Sequence, residues 1–259
     1  MEKYCFCFDI DGTLLTSDHK MSEQTILTLN ELQKAGHKIV IATGRNYGSV
    51  QRTGILNLVN WDGYVFNNGQ CVLDKDLNVI HVEKMSNEEV QSIIDVCNSE
   101  GLVCLLERIY DWFIVQEADE WVIKTHEFFN DVVPGQESYD PSMEIVMSIV
   151  YAPKGYDYKP FKEIKGIRVD EGASHYADLV RDGYHKYKGI EKVLKHFNIE
   201  KSVCFGDGNN DVDMIKEATI GVAMGQGAPA AKDASDFITT SCDDEGITYA
   251  CKHFGFIQE

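Results

Sequence analysis

Apolar positions along the chain fall into two alternating rhythms. Short unbroken runs, such as Tyr4-Cys5-Phe6-Cys7-Phe8 and Ile39-Val40-Ile41-Ala42, have the length and composition of buried strands. Between them lie stretches with helical spacing: Ile26, Leu29 and Leu32 share one face, and Gly36 supplies a stop. This pattern predicts a strand over 3–8, a helix over 23–35, a strand over 38–42, a helix over 47–58 and a short strand over 64–66 that runs into the turn Asn67-Asn68-Gly69. Strands and helices in this alternation build a parallel sheet with right-handed crossovers.

From Cys71 the rhythm changes. Two short runs, 71–73 and 79–82, flank an Asp/Lys turn as a hairpin would, and Ser86-Asn87-Glu88-Glu89 is a capping box that opens a helix stopping at Gly101. Strands are expected at 102–106, 112–116, 144–151 and 175–180, with a helix over 120–129. From Lys188 the first rhythm returns: helix to 197, strand 202–205, helix 212–218, strand 220–223, helix 229–234, strand 236–239 and a last helix. The fold class is therefore α/β. A Rossmann-like, doubly wound parallel-sheet core is formed by residues 1–82 and 182–259, and an α+β domain over 83–181 is inserted into it.

Charge narrows the class of partner. Lys and Arg total 24 against 42 Asp and Glu, a net charge of -18 that repels nucleic-acid phosphates and anionic lipid. A small phosphorylated substrate stays compatible with this balance, because a metal and a few local cations reverse the sign of one pocket. The 8 cysteines lie scattered, mostly in apolar runs, and read as buried reduced thiols. The chain shows no signal-peptide apolar region and no run approaching the roughly 18 apolar residues of a membrane span, so the cytoplasm is the expected location.

Polar groups cluster where the predicted core strands end. Asp9 and Asp11, two apart, lean toward one side after the first strand. Crowded acids of this kind serve as an acid/base pair or a hard-metal site, although a solvated turn closing the strand explains an isolated pair equally well. Thr43 follows the second core strand and could cap the next helix; Gly206-Asp207-Gly208-Asn209-Asn210-Asp211 follows the strand over 202–205. Carboxyl ends of a parallel sheet converge on one crevice, where ligands bind. Lys188 is the cation expected there, although standing alone it reads as one more surface lysine, while His185, lacking a spaced partner, reads as a surface histidine. Trp112, Phe113, Trp121, Phe128 and Phe129 read as core of the inserted domain.

The motifs Asp9-Ile10-Asp11-Gly12-Thr13-Leu14-Leu15, Ala42-Thr43-Gly44-Arg45, Lys188-Gly189 and Gly206-Asp207-Gly208-Asn209-Asn210-Asp211-Val212-Asp213-Met214 together resemble the haloacid dehalogenase superfamily. The chain length, the insertion point and Ile220 to Pro229 are similar to its Cof-type sugar-phosphate phosphatases, in which the insert is a cap. That resemblance implies an Asp9 nucleophile that forms an aspartyl phosphate, and Asp11 as the acid that protonates the leaving oxygen. It implies Mg2+ held by Asp9, Asp207 and the main-chain carbonyl of Asp11, with Thr43 and Lys188 on the phosphoryl oxygens. Asn210 and Asp211 would orient metal waters and the lysine, and Gly12, Gly44, Arg45 and Asn68 would line the phosphate site, Arg45 either contacting substrate or only pairing with an acid and Asn68-Gly69 serving equally as a plain turn. In the cap, alternation places Ser174, Tyr176 and Asp178 on one face; Tyr176 and Asp178 are candidates to meet a sugar, or else the polar side of a half-buried strand. Two other readings of the same residues stay open: a phosphohexomutase, which returns the phosphoryl group to its substrate, and a phospho-acceptor signalling domain.

Overall fold

The structure is a computed structural model that describes residues 2–258. In chain order it begins β1 (Cys5–Phe8), α1 (Glu23–Lys34), β2 (Lys38–Ala42), α2 (Tyr47–Thr53), β3 (Gly63–Phe66), β4 (Cys71–Asp74) and β5 (Val79–Val82). There follow α3 (Asn87–Glu100), β6 (Val103–Glu107), β7 (Trp112–Ile114), α4 (Glu120–Phe128), β8 (Met147–Tyr151), α5 (Lys159–Lys162), β9 (Ile167–Glu171) and β10 (Tyr176–Arg181). The chain closes with α6 (Lys186–Phe197), β11 (Ser202–Gly206), α7 (Val212–Glu217), β12 (Ile220–Ala223), α8 (Pro229–Ala234), β13 (Phe237–Ile238) and α9 (Gly246–His253).

Two compact units result: Met1–Arg45, Thr53–His81 and His185–Glu259 form the first, and Asn46–Arg52 with Val82–Tyr184 the second. The first carries an eight-stranded sheet in the order β13-β12-β11-β1-β2-β3-β4-β5, parallel from β13 to β3, with β4 running back antiparallel on β3. Phe8 at the end of β1 pairs with Phe205 on one side and Ile41 on the other. This register sets Asp9, Ala42 and Gly206 at the same edge of the sheet. Every residue of β1 is buried, and helices cover both faces as a doubly wound sheet requires.

The second unit is a five-stranded antiparallel sheet, β7-β6-β8-β10-β9. Alternation along its strands separates two apolar layers. Cys104, Leu106, Phe113, Val150, Ala177 and Leu179 pack with Val90, Ile93 and Cys97 of α3 and Phe161 of α5. Val103, Leu105, Ile114 and Tyr151 pack with Val122 of α4.

Several expectations shift. The helix expected over 47–58 ends at Thr53, because Gly54 takes a left-handed φ of 78° that no continuing helix accommodates. Its segment Asn46–Arg52, expected in the core, packs in the second unit: the Asn46 amide donates to Glu107 at 2.9 Å, and a Cβ on Gly48 would lie 2.2 Å from the Trp112 ring. The strand expected over 144–151 starts only at Met147, and α5 and β9 have no counterpart among the expected elements. A four-residue helix and a charge-rich strand bordering the sheet carry too little periodicity to stand out. By contrast Ser86, Glu89 and Gly101 form the capping box and left-handed stop that their sequence predicts.

Candidate active site

Asp9 continues β1 beyond its last ladder pair; its amide donates to the Phe205 carbonyl at 3.0 Å, which keeps the carboxylate buried at the sheet edge. Asp207 and Asp211 arrive from the loop after β11. Carboxylate oxygens of Asp9, Asp207 and Asp211 lie within 4.8 Å of one another. Asp211 is the keystone of its loop: Oδ2 accepts from the amides of Asp207 at 2.9 Å and Gly208 at 2.8 Å, while Oδ1 accepts from Lys186 at 2.6 Å.

Lys186, not Lys188, is the cation of this cluster. Its ammonium is fully buried and donates to Asp9 and Asp211, each at 2.6 Å. Lys188, expected in that role, is 40% exposed and pairs with Glu191 of its own helix at 3.2 Å. The cause is helical geometry. On α6 the buried stripe is Lys186, Gly189, Ile190, Val193 and Leu194, spaced i, i+3, i+4, i+7 and i+8, and Lys188 lies off it. Gly189 lets that stripe dock closely, since a Cβ there would stand 2.4 Å from Val65 and 3.0 Å from the Gly69 backbone. The sequence therefore carried the signal: periodicity counted back from Ile190 and Val193 selects Lys186.

The second strand end contributes Thr43, buried, with its hydroxyl accepting the Arg45 amide at 3.2 Å. Arg45 grips Asp11 in a bidentate pair, Nε to Oδ2 and Nη2 to Oδ1, both at 2.7 Å. The Asn67-Asn68-Gly69 turn is sewn to this loop, the Asn67 amide donating to Arg45 at 3.1 Å and the Asn68 amide to Thr43 at 3.2 Å. The Asn68 side chain in turn accepts from Asn210 at 3.2 Å. Gly44 lies against both, for a Cβ on it would sit 3.1 Å from Asn68 and 3.5 Å from Asn210. Gly12 adopts φ 77°, and a Cβ there would come within 2.4 Å of Asp207. Asp11, Gly12, Thr43, Gly44, Arg45, Asn68, Asp207, Asn210 and Asp211 thus gather around Asp9, whereas Tyr176 and Asp178 stand on β10 of the second unit. There the Tyr176 ring covers Gly172 and meets Phe129 at 5.6 Å, and Asp178 is buried.

The electrostatics of the cluster follow from burial. Desolvation, then repulsion from Asp211, holds the Asp9 carboxyl well above the usual carboxylate range, with Lys186 acting the other way. Desolvation and Asp211 likewise push Asp207 up to about 7. Burial alone would lower the Lys186 ammonium, but Asp211 and Asp9 outweigh it and carry its pKa upward. One lysine between crowded acids leaves excess negative charge among hard oxygen donors, and that donor set fits Mg2+.

Buried carboxylates, a hydroxyl and a buried lysine thus converge at the carboxyl edge of a parallel α/β sheet, where such folds bind their ligands. The family model for haloacid dehalogenase-like hydrolases matches residues 6–251, and the chain belongs to that family. Within it the protein is a phosphoric monoester hydrolase. It is 29% identical to YkrA of Bacillus subtilis (strain 168) over 100% of both chains. It is 26% identical to the 5-amino-6-(5-phospho-D-ribitylamino)uracil phosphatase YitU of the same organism, covering 97% of each chain. Among solved structures, the haloacid dehalogenase subclass IIB sugar phosphatase BT4131 superposes with a TM-score of 0.87 at 30% identity, over 98% of this chain and 100% of that one. Among the described residues, no helix is long and apolar enough to cross a membrane.

Proposed function

We propose that the protein is a Mg2+-dependent phosphatase of small phosphorylated metabolites, sugar phosphates foremost, and that it works through an aspartyl phosphate on Asp9. The observation that carries this reading is the Lys186 ammonium 2.6 Å from both Asp9 and Asp211 inside a buried acidic cluster. The sugar-phosphate preference is supported by the likeness to BT4131.

Asp9 keeps one oxygen on Lys186, so its other oxygen attacks phosphorus while the bond to the leaving oxygen breaks. Asp11 hands its proton to that oxygen, then takes one from the water that attacks the phosphoryl group and frees Asp9. Arg45 donates to both Asp11 oxygens, so this bidentate pair must open before Asp11 can carry the proton it hands over. The Thr43 hydroxyl and Lys186 donate to the phosphoryl oxygens, where charge accumulates in transfer. Asp9, Asp207 and the main-chain carbonyl of Asp11 would hold Mg2+, which supplies the positive charge that lets a carboxylate approach a phosphate dianion. Asp211 and Asn210 fix the surrounding loop, and Tyr176 and Asp178 are proposed to recognise sugar hydroxyls.

A panel of sugar phosphates and other phosphorylated metabolites, assayed for phosphate release with Mg2+ and with EDTA, tests the proposal. Mg2+-dependent turnover that is lost in Asp9→Asn is expected; undiminished turnover in EDTA, or an active Asp9→Asn enzyme, overturns it.

A further inference from the structure

A second set of ligating side chains converges in the first unit, none of them a residue of the proposed reaction. His185 immediately precedes α6, and Asp213 and Glu217 stand four residues apart on α7, which places them on one face of that helix. One ligand atom from each lies within 4.8 Å of the others. His185 Nδ1 is 4.0 Å from Asp213 and Nε2 is 3.6 Å from Glu217, both beyond hydrogen-bond length. Nδ1 is buried from solvent without a hydrogen-bond partner, although an imidazole nitrogen in such a place ordinarily has one. The ring makes no capping bond to α6 either. The three groups thus stand at ion-pair distance with no hydrogen bond among them.

We infer that His185, Asp213 and Glu217 form a second cation site, selective for a transition-metal dication of the zinc class over Mg2+. Imidazole nitrogen and carboxylate oxygen are both zinc ligands, and three protein ligands leave a fourth position for water. Mg2+ demands oxygen ligands in near-octahedral array and gains little from imidazole. Zinc ligands at bonds of about 2.0–2.1 Å stand closer together than the present atoms. The adjustment falls on Asp213 and Glu217, whose side chains are half-exposed and free to change rotamer. Lys186 follows His185 directly and Asp211 lies two residues before Asp213, so an ion here would brace the backbone on both sides of the Lys186 to Asp211 bond.

The test is equilibrium dialysis of the full chain against Zn2+ in excess Mg2+, which saturates the all-oxygen cluster, with Co2+ as a spectroscopic probe. The wild type should retain one equivalent of zinc at micromolar concentrations, and Co2+ should give the strong visible absorption of a four-coordinate nitrogen-containing site. His185→Asn should lose both signals, and Asp213→Asn and Glu217→Gln should each weaken binding at least about tenfold. Mg2+-supported turnover near the wild-type rate marks each variant as folded, and Glu217→Gln, an exposed helix position, decides the matter should His185→Asn fold poorly. Zinc retention equal in wild type and variants, zinc displaced by raising Mg2+, or no zinc retained overturns the inference.

Discussion

Both units bury acids, but they neutralise them differently. In the first, Asp9 and Asp211 close on a fully buried lysine at a sheet edge, next to Asp207, and Asp9 and Asp207 are held above their ordinary pKa. In the second, Glu107 is buried within a sheet and accepts from the neutral amide of Asn46, while the His126 and Tyr151 side chains pair at 2.9 Å. There burial, then Glu107, Asp178 and Asp131, drive the Tyr151 hydroxyl well up, so that it stays neutral. The contrast teaches where reactivity is stored. Charge packed beyond local compensation demands a counter-ion and can do chemistry, whereas satisfied polar groups shape a surface and rigidify it.

The sharpest way to break this contrast is to remove charges from the first unit. Asp9→Asn should cost at least about 10⁴ in kcat. Lys186→Ala should cost roughly 10² to 10³ in kcat, as loss of one charged donor does, and destabilise the metal-free protein by about 3 to 5 kcal/mol, as breaking a buried pair does. Lys188→Ala should leave the rate unchanged and stability within about 0.5 kcal/mol. Steady-state kinetics with urea unfolding separates the lysines; a severe loss in Lys188→Ala alongside a mild one in Lys186→Ala would reverse their assignment.

Next in size is the acid. Asp11→Asn should slow turnover by roughly 10² to 10⁴ and leave Mg2+ affinity near wild type, because its proposed metal contact is a backbone carbonyl. Arg45→Ala, which removes only the bidentate grip, should cost about 10- to 100-fold, the scale of misplacing a catalytic group. Calorimetric Mg2+ titration beside the kinetics reads this, and a large drop in Mg2+ affinity for Asp11→Asn would reassign that carboxylate to the metal.

A third effect is on stability against pH. Asp9 and Asp207 have folded pKa values raised above the unfolded carboxylate range, so between about pH 4 and the Asp207 value of about 7 the folded state holds more protons than the unfolded chain. For Asp207 the penalty for charging is absent below that window and complete above it, and Asp9 adds a penalty of the same sign as it ionises. The metal-free protein should therefore lose stability as pH rises through it, and the gain in Tm on adding Mg2+ should grow over the same interval. A Mg2+ effect on Tm independent of pH would show that these carboxyls do not receive the ion.

The smallest expected effects lie in the second unit. Tyr176→Ala and Asp178→Ala should lower kcat/KM for the preferred sugar phosphate by about 1 to 3 kcal/mol each, with far less change on p-nitrophenyl phosphate, which has no sugar hydroxyls. Equal losses on both substrates would assign these residues to folding rather than recognition.

The sequence by itself determined the alternation of strands and helices, the boundaries of β2, β12 and α8, the caps of α3, and the carboxylates that meet at the sheet edge. Each depends on local periodicity, on a cap, or on a strand end, and those are short-range properties. Tertiary structure decided what adjacency in sequence could not. Lys188 and Gly189 are neighbours along the chain, yet Gly189 docks on Gly69 and Val65 and so turns Lys186 inward and Lys188 to solvent. Asn46–Arg52 reads as core helix but packs in the second unit, because its partners Glu107 and Trp112 lie some sixty residues away in the chain. Arg45 could have faced substrate or an acid, and only the folded loop sets it on Asp11. His185 looked solitary for the same reason: Asp213 and Glu217 reach it across the packing of α6 against α7, a proximity that no spacing along the chain encodes.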